Sequence, residues 1–117
     1  MSLEIHLEET ALEPGSELRG RLDWQAEGGI VDSLTVTLLW TTEGKGTEDV
    51  EVVDRVEVEH PSRRGSHDFS FRLPDFPWSF SGTLISLVWA VEASLEPDGN
   101  LERVTLVSAP ERQEVVL

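Results

Sequence analysis

The sequence predicts an all-β protein, an antiparallel β-sandwich of about seven to eight strands, and three observations lead there. Apolar residues recur at every second position through most of the chain. No segment sustains a 3.6-residue apolar period with helix caps. Where the intervening positions are clearest they are polar β-formers, such as Thr35, Thr37 and Thr41. Each strand therefore has one face for a core and one for water, the pattern of two packed antiparallel sheets.

The elements follow in order. Leu3, Ile5 and Leu7 share one face of a first strand, and Leu18, Leu22 and Trp24 share one face of a second, with "EPGSE" as the turn before it. In "LTVTLLWTTE", Val36, Leu38 and Trp40 keep one phase and Leu39 breaks it. In "EDVEVVDRVEVEH", Val50, Val52, Val56 and Val58 share a phase in which Asp54 also falls. A bulge near Val53 and Asp54 resolves that conflict. After the loop "PSRRGSH", Phe69, Phe71 and Leu73 form a strand that stops at Pro74, which has no N–H for a ladder. The longest apolar series is Ile85, Leu87, Trp89, Val91, Ala93 and Leu95. "PDGN" then signals a hairpin, because glycine accepts the positive φ of a primed turn. "LERVTLVSA" is the returning strand and "QEVVL" adds a short terminal one.

With 117 residues, the chain suits one domain spanning 1–117, large enough for a core without disulfides or a structural metal. The absence of Cys excludes thiolate metal sites and cysteine nucleophiles. "MSLEIHLEE" is neither a secretory signal nor a transit peptide, and no apolar run suits a membrane span, so a soluble, cytoplasmic protein is expected. Nine basic residues against 23 acidic ones leave a net charge of −14. Such a surface repels nucleic acid and favours solubility or a basic protein partner.

One stretch stands apart. "FSFRLPDFPWSFSG", Phe69 to Gly82, holds all four Phe, one Trp and two of the six Pro. It reads as a strand end, a Pro-punctuated crossing and the entry to a central strand, with Phe76, Trp78 and Phe80 expected to cap one end of the sandwich. Pro14, Gly15 and Gly20 precede it, and Trp89, Val91 and Ala93 follow. The ordered set Phe69, Phe71, Leu73, Pro74, Pro77, Ser79, Phe80 and Gly82 within that frame resembles the N-terminal sandwich of the arrestin-like superfamily over roughly residues 12 to 96. The competing reading is an unrelated immunoglobulin-like sandwich with a Pro-rich crossover. The resemblance implies a protein-binding scaffold, with bacterial sporulation-control proteins among the relatives. It departs from the familiar pattern in four ways. Arrestin-like proteins usually pair two sandwiches, the phosphate-reading basic residues have no evident equivalent, PPxY motifs are impossible without Tyr, and Trp78 replaces the second Pro or polar residue common before "SF".

Chemistry-bearing patterns are sparse. His60 and His67 border one loop beside Asp68, yet a divalent site wants three or four converging ligands, so no metal is expected there. Ser62, Ser66 and Ser79 lie near those His residues without a nucleophile elbow or an oxyanion-binding helix. Glu51, Glu57 and Glu59 alternate with Val and read as a solvated strand face. "EPDGN" lacks the ligand spacing of a calcium loop. No catalytic, cofactor-binding or metal residue is assigned, no cofactor is expected, and the expected role is non-enzymatic. The chain is expected to bind a protein or peptide, possibly basic, through an edge strand or end loop, with "LEIHLEE" and "QEVVL" as candidate edges. The alternative is a self-assembling structural or regulatory subunit that pairs the same edges between copies.

Overall fold

A computed structural model describes residues 2–26, 31–44, 46, 48–59, 61–96 and 99–117, and in it two β-sheets pack face to face. The strands are β1 (Ser2–Leu7), β2 (Ala11–Leu12), β3 (Glu17–Gln25), β4 (Ser33–Gly44), β5 (Val50–Glu59), β6 (Arg64–Arg72), β7 (Phe80–Ser81), β8 (Ile85–Glu96), β9 (Asn100–Ser108) and β10 (Val115–Val116). The smaller sheet has the order β1-β3-β6. The larger runs β10-β7-β8-β4-β5, with β9 beside β8 and β2 beside β9. The expected all-β sandwich is the observed fold. The two-residue strands β2 and β10 pair in parallel with β9 and β7, whereas the long strands pair antiparallel.

Local chemistry explains the long strands. Pro14 and Gly15 occupy the centre of a turn closed by Ser16 N–H to the Glu13 carbonyl, and Gly15 takes φ of 80°. That is the geometry for which a Pro-Gly pair is suited. From there β3 runs with Leu18, Gly20, Leu22 and Trp24 inward and Glu17, Arg19 and Arg21 outward. Gly20 faces Phe69 across the β3–β6 ladder, and a Cβ there would sit 2.5 Å from the Phe69 ring and 2.8 Å from the His6 carbonyl. The inward faces of β3, β6, β4 and β8 supply the core, with Leu18, Leu22, Phe71, Leu34, Leu38, Trp89, Val91 and Leu95 essentially sealed from solvent.

The register between β4 and β5 slips at the expected place. Leu38 pairs with Asp54 and Leu39 with Val52, so Val53 is the extra residue of a bulge. Its effect differs from the expected one. Asp54 stays in the phase of Val56 and Val58 and remains exposed, because β5 is the outer strand of its sheet. Val50 and Val52 instead move to the opposite face, opposite Thr41 and Leu39. Leu39, which broke the alternation, is buried on that face beside Ala90. The β8–β9 hairpin forms with Leu95 opposite Asn100 and Gly99 at φ of 72°, while Pro97 and Asp98 of "PDGN" lie outside the described residues.

Candidate interaction surface

The Pro-rich crossing between β6 and β7 is pinned along its length. Leu73 N–H bonds back to the Ser16 carbonyl at 2.9 Å and buries its side chain, ending β6 at Pro74. Ser79 is buried, and it exchanges two bonds with the end of β9: its N–H donates to the Ser108 carbonyl at 2.8 Å, and its Oγ accepts from Ser108 N–H at 3.0 Å. The Ser79 and Ser81 carbonyls accept from Val115 and Leu117 N–H groups, which fixes β10. Trp89 Nε1, inside the core, donates to the Pro77 carbonyl at 2.9 Å. The peptide bond between Phe76 and Pro77 is cis.

This anchoring displays two aromatic residues. Phe76 is 70% exposed and Trp78 37%, and their rings stack with centroids 5.4 Å apart at 20°. Trp78 Nε1 donates to the Asp75 carbonyl at 2.8 Å, which orients its ring. The expectation that Phe76, Trp78 and Phe80 cap the sandwich holds for Phe80, which packs partly against the core, and fails for the other two. With the crossing tied to β8, β9 and β10 by its backbone, Phe76 and Trp78 are turned away from the core. Phe76, Pro77, Trp78, Phe80, Val115 and Leu117 line an open concavity of about 280 Å³. Leu84, Ile85 and Val116 are also exposed, and Leu117 lies beside Gly82.

The outer face of the smaller sheet has a different character. His6 Nε2 lies 3.1 Å from Asp23 Oδ2 and 3.4 Å from Glu4 Oε2. Arg21 Nε lies 3.2 Å from Asp23 Oδ1, to which Ser66 Oγ also donates. The Ser66 hydrogen bond, with help from Arg21 and His6, holds the Asp23 carboxyl below its ordinary range. Arg19 does the same for Glu17. Glu4, His6 and Asp23 have the spacing of three metal ligands. The Arg21 guanidinium beside them opposes a cation, and an exposed ion-pair network accounts for the cluster. Sequence reasoning missed it because the β1–β3 register that sets His6 opposite Arg21 cannot be read before the strands are paired.

The residues singled out in the sequence do not converge. His60 lies outside the described residues. His67 pairs with Leu22 in the inward phase of β6, whereas Asp68 pairs with Arg21 in the outward phase, so the two point to opposite sides of the sheet. Ser62 offers its carbonyl to Trp24 Nε1, Ser66 serves Asp23, and Ser79 is committed to Ser108. Glu51, Glu57 and Glu59 are exposed as expected, although the bulge puts Glu51 in the other phase from Glu57 and Glu59. The candidate edges "LEIHLEE" and "QEVVL" correspond to β1 and β10, and both are outer strands; so are β5 and β6.

No known family profile matches the sequence, and no curated protein matches it. Among solved structures the chain is similar to Spo0M, the sporulation control protein of Bacillus subtilis, with a TM-score of 0.67 and 18% identity. The match covers 92% of this chain and 49% of that one. The fold is arrestin-like. This arrestin-like sandwich thus spans about half the length of that structure. Its motif residues have plain structural roles: Pro14 and Gly15 make the turn, Gly20 makes room for Phe69, and Phe71, Leu73, Trp89, Val91 and Ala93 fill the core. Pro77 and Ser79 hold the arrestin-like crossing in place through backbone bonds.

Proposed function

We propose that the chain is a non-enzymatic protein-interaction module, regulatory or adaptor in role, whose working surface is the Pro-rich end of the sandwich. The observation that carries this reading is the stacked, exposed Phe76–Trp78 pair beside an apolar concavity on a backbone fixed by hydrogen bonds. Binding hot spots are rigid aromatic anchors of this kind, and contiguous exposed apolar patches mark association sites. Similarity to a sporulation control protein supports a regulatory context. No helix among the described residues is long and apolar enough to cross a membrane.

A photo-reactive residue installed at Phe76 in the source cell tests the reading, with Ser94 on β8 as the comparison position. Covalent adducts with protein are expected from position 76 and not from 94. No adduct from 76, or equal yields from both, removes the end of the sandwich as the working surface.

A second partner chemistry fits elsewhere. From Glu48 to Glu59 there are six acidic residues and one Arg, and β5 is an outer strand with exposed Val50 and Val52. An extended basic segment suits that edge, and its association rate falls as salt rises. An association rate indifferent to salt excludes it.

A further inference from the structure

We infer that the β5 edge selects one pattern of extended partner: a segment that pairs antiparallel with β5 and whose basic and apolar residues exchange faces half-way along. The inference rests on the reading of that edge as a site for a basic segment and adds the order of its residues. Three observations carry it. The first is the edge itself. β5 bonds to β4 on one side, no described strand pairs with its other side, and its 10 residues exceed the 6 of β1, the 9 of β6 and the 2 of β10 among the outer strands. In an antiparallel pair every second residue directs its N–H and C=O away from the partner, so β5 offers backbone groups to a further strand along its length.

The second observation is the bulge. Glu51 stands opposite Trp40 and Asp54 opposite Leu38, which puts both carboxylates on the core-side face together with Val56 and Val58. Val50 and Val52 stand opposite Thr41 and Leu39, on the outer face together with Arg55, Glu57 and Glu59. Without the extra residue Val53, Glu51 would share a face with Glu57 and Glu59, and Val50 and Val52 would share one with Val56 and Val58. The bulge makes the acidic and apolar stripes cross over in mid-strand. The third observation is exposure. These carboxylates and Val50 and Val52 are open to solvent, so a neighbouring strand meets them directly. Like charges side by side are destabilising, and β5 of a second copy would set acid against acid, whereas Lys beside each carboxylate and Val beside each Val satisfies both faces. The complementary antiparallel order is Lys-Val-Lys-Val-Thr-Lys-Val-Lys-Val, beginning beside Glu59 and ending beside Val50, with Thr beside Arg55.

A dye-labelled peptide of that sequence tests the proposal against one of identical composition, Lys-Val-Lys-Val-Thr-Val-Lys-Val-Lys, in which every Lys lies on one face. Fluorescence anisotropy reads affinity and amide hydrogen exchange reads where each peptide sits. The crossed peptide is expected to bind on the order of tenfold more tightly, since the other misplaces two cross-strand pairs, and to protect amides of Val50–Glu59. Methylating alternate backbone nitrogens of the crossed peptide is expected to abolish that protection with its charge unchanged. Glu57→Lys, at an exposed position, is expected to weaken binding about fivefold, and Glu102→Lys on β9, the same charge change elsewhere, less than about twofold. Equal affinity of the two peptides with β5 protected overturns the crossed pattern and leaves the edge as a site for basic segments. Binding of neither peptide, or binding without protection of β5, removes the edge as well. Equal losses from Glu57→Lys and Glu102→Lys, or undiminished binding of the methylated peptide, reduce the attraction to diffuse charge and also overturn the proposal.

Discussion

Gly20 shows how one residue's absent side chain shapes the core. The space a Cβ would need is held by the Phe69 ring and the His6 carbonyl, the first buried and the second fixed in the β1–β3 ladder. Gly20→Ala is therefore expected to lower stability by about 1 to 3 kcal/mol through overpacking, read from denaturant melts. A loss under about 0.5 kcal/mol would mean that Phe69 swings aside freely. Asp23 gives a pH-dependent counterpart. Its carboxyl is held below the ordinary value of 3.8, first by Ser66 and then by Arg21 and His6. A depressed carboxyl contributes stability that is complete above its unfolded value and is lost as pH falls through its folded one. The melting temperature of Asp23→Asn should thus lie below that of the wild type at neutral pH, with the gap closing by about pH 2. A gap that persists in acid would assign the effect to shape and not to charge.

At the scale of elements, the crossing and the end of β9 make an internal comparison possible. Ser79 Oγ accepts from the buried Ser108 N–H, whereas Ser108 Oγ is buried without a partner among the described residues. Ser79→Ala is expected to cost about 1 to 3 kcal/mol, since it strands a buried donor, while Ser108→Ala should be neutral or slightly stabilising. Equal losses from the two would show that the hydrogen bond is not what fixes the crossing. The long strands were legible in the sequence because their alternation extends over many residues, as in Ile85 to Leu95, and even the bulge at Val53 left a trace in the misplaced Asp54. The strand β2 was not legible, since Ala11–Leu12 is too short to show a period and its parallel partner lies at the far end of the chain. The outward turn of Phe76 and Trp78 was hidden for another reason. Aromatic residues beside a core strand are ordinarily buried, and only the backbone bonds of Pro77 and Ser79 show why these two are not.

At the scale of the whole molecule, charge opposes compactness. The outer face of the smaller sheet has Arg19, Arg21, Arg64 and Arg72 interleaved with Glu4, Glu17, Asp23 and Asp68, so the acidic excess falls on the remaining surface, the β5 edge included. Added salt should therefore raise the melting temperature between low ionic strength and about 0.5 M, as self-repulsion is screened. A fall would indicate that pairs such as Arg103–Glu92 and Arg19–Glu17 outweigh the repulsion. The pairing of β2 with β9 has a consequence of another kind. Ala11 lies beside Val107, so this contact closes a loop containing nearly the entire chain. Closure entropy grows with loop length and must be met before such a contact stabilises anything. The two-residue ladder of β2 is thus a late event in folding, formed after β8 and β9 are already paired. The whole chain belongs with sandwiches that fold in milliseconds to seconds, not with fast helical domains. During that interval the edge of β9 opposite Ala11 and Leu12 is open, which makes this closure the step at which a nascent chain is most exposed to pairing with the wrong strand.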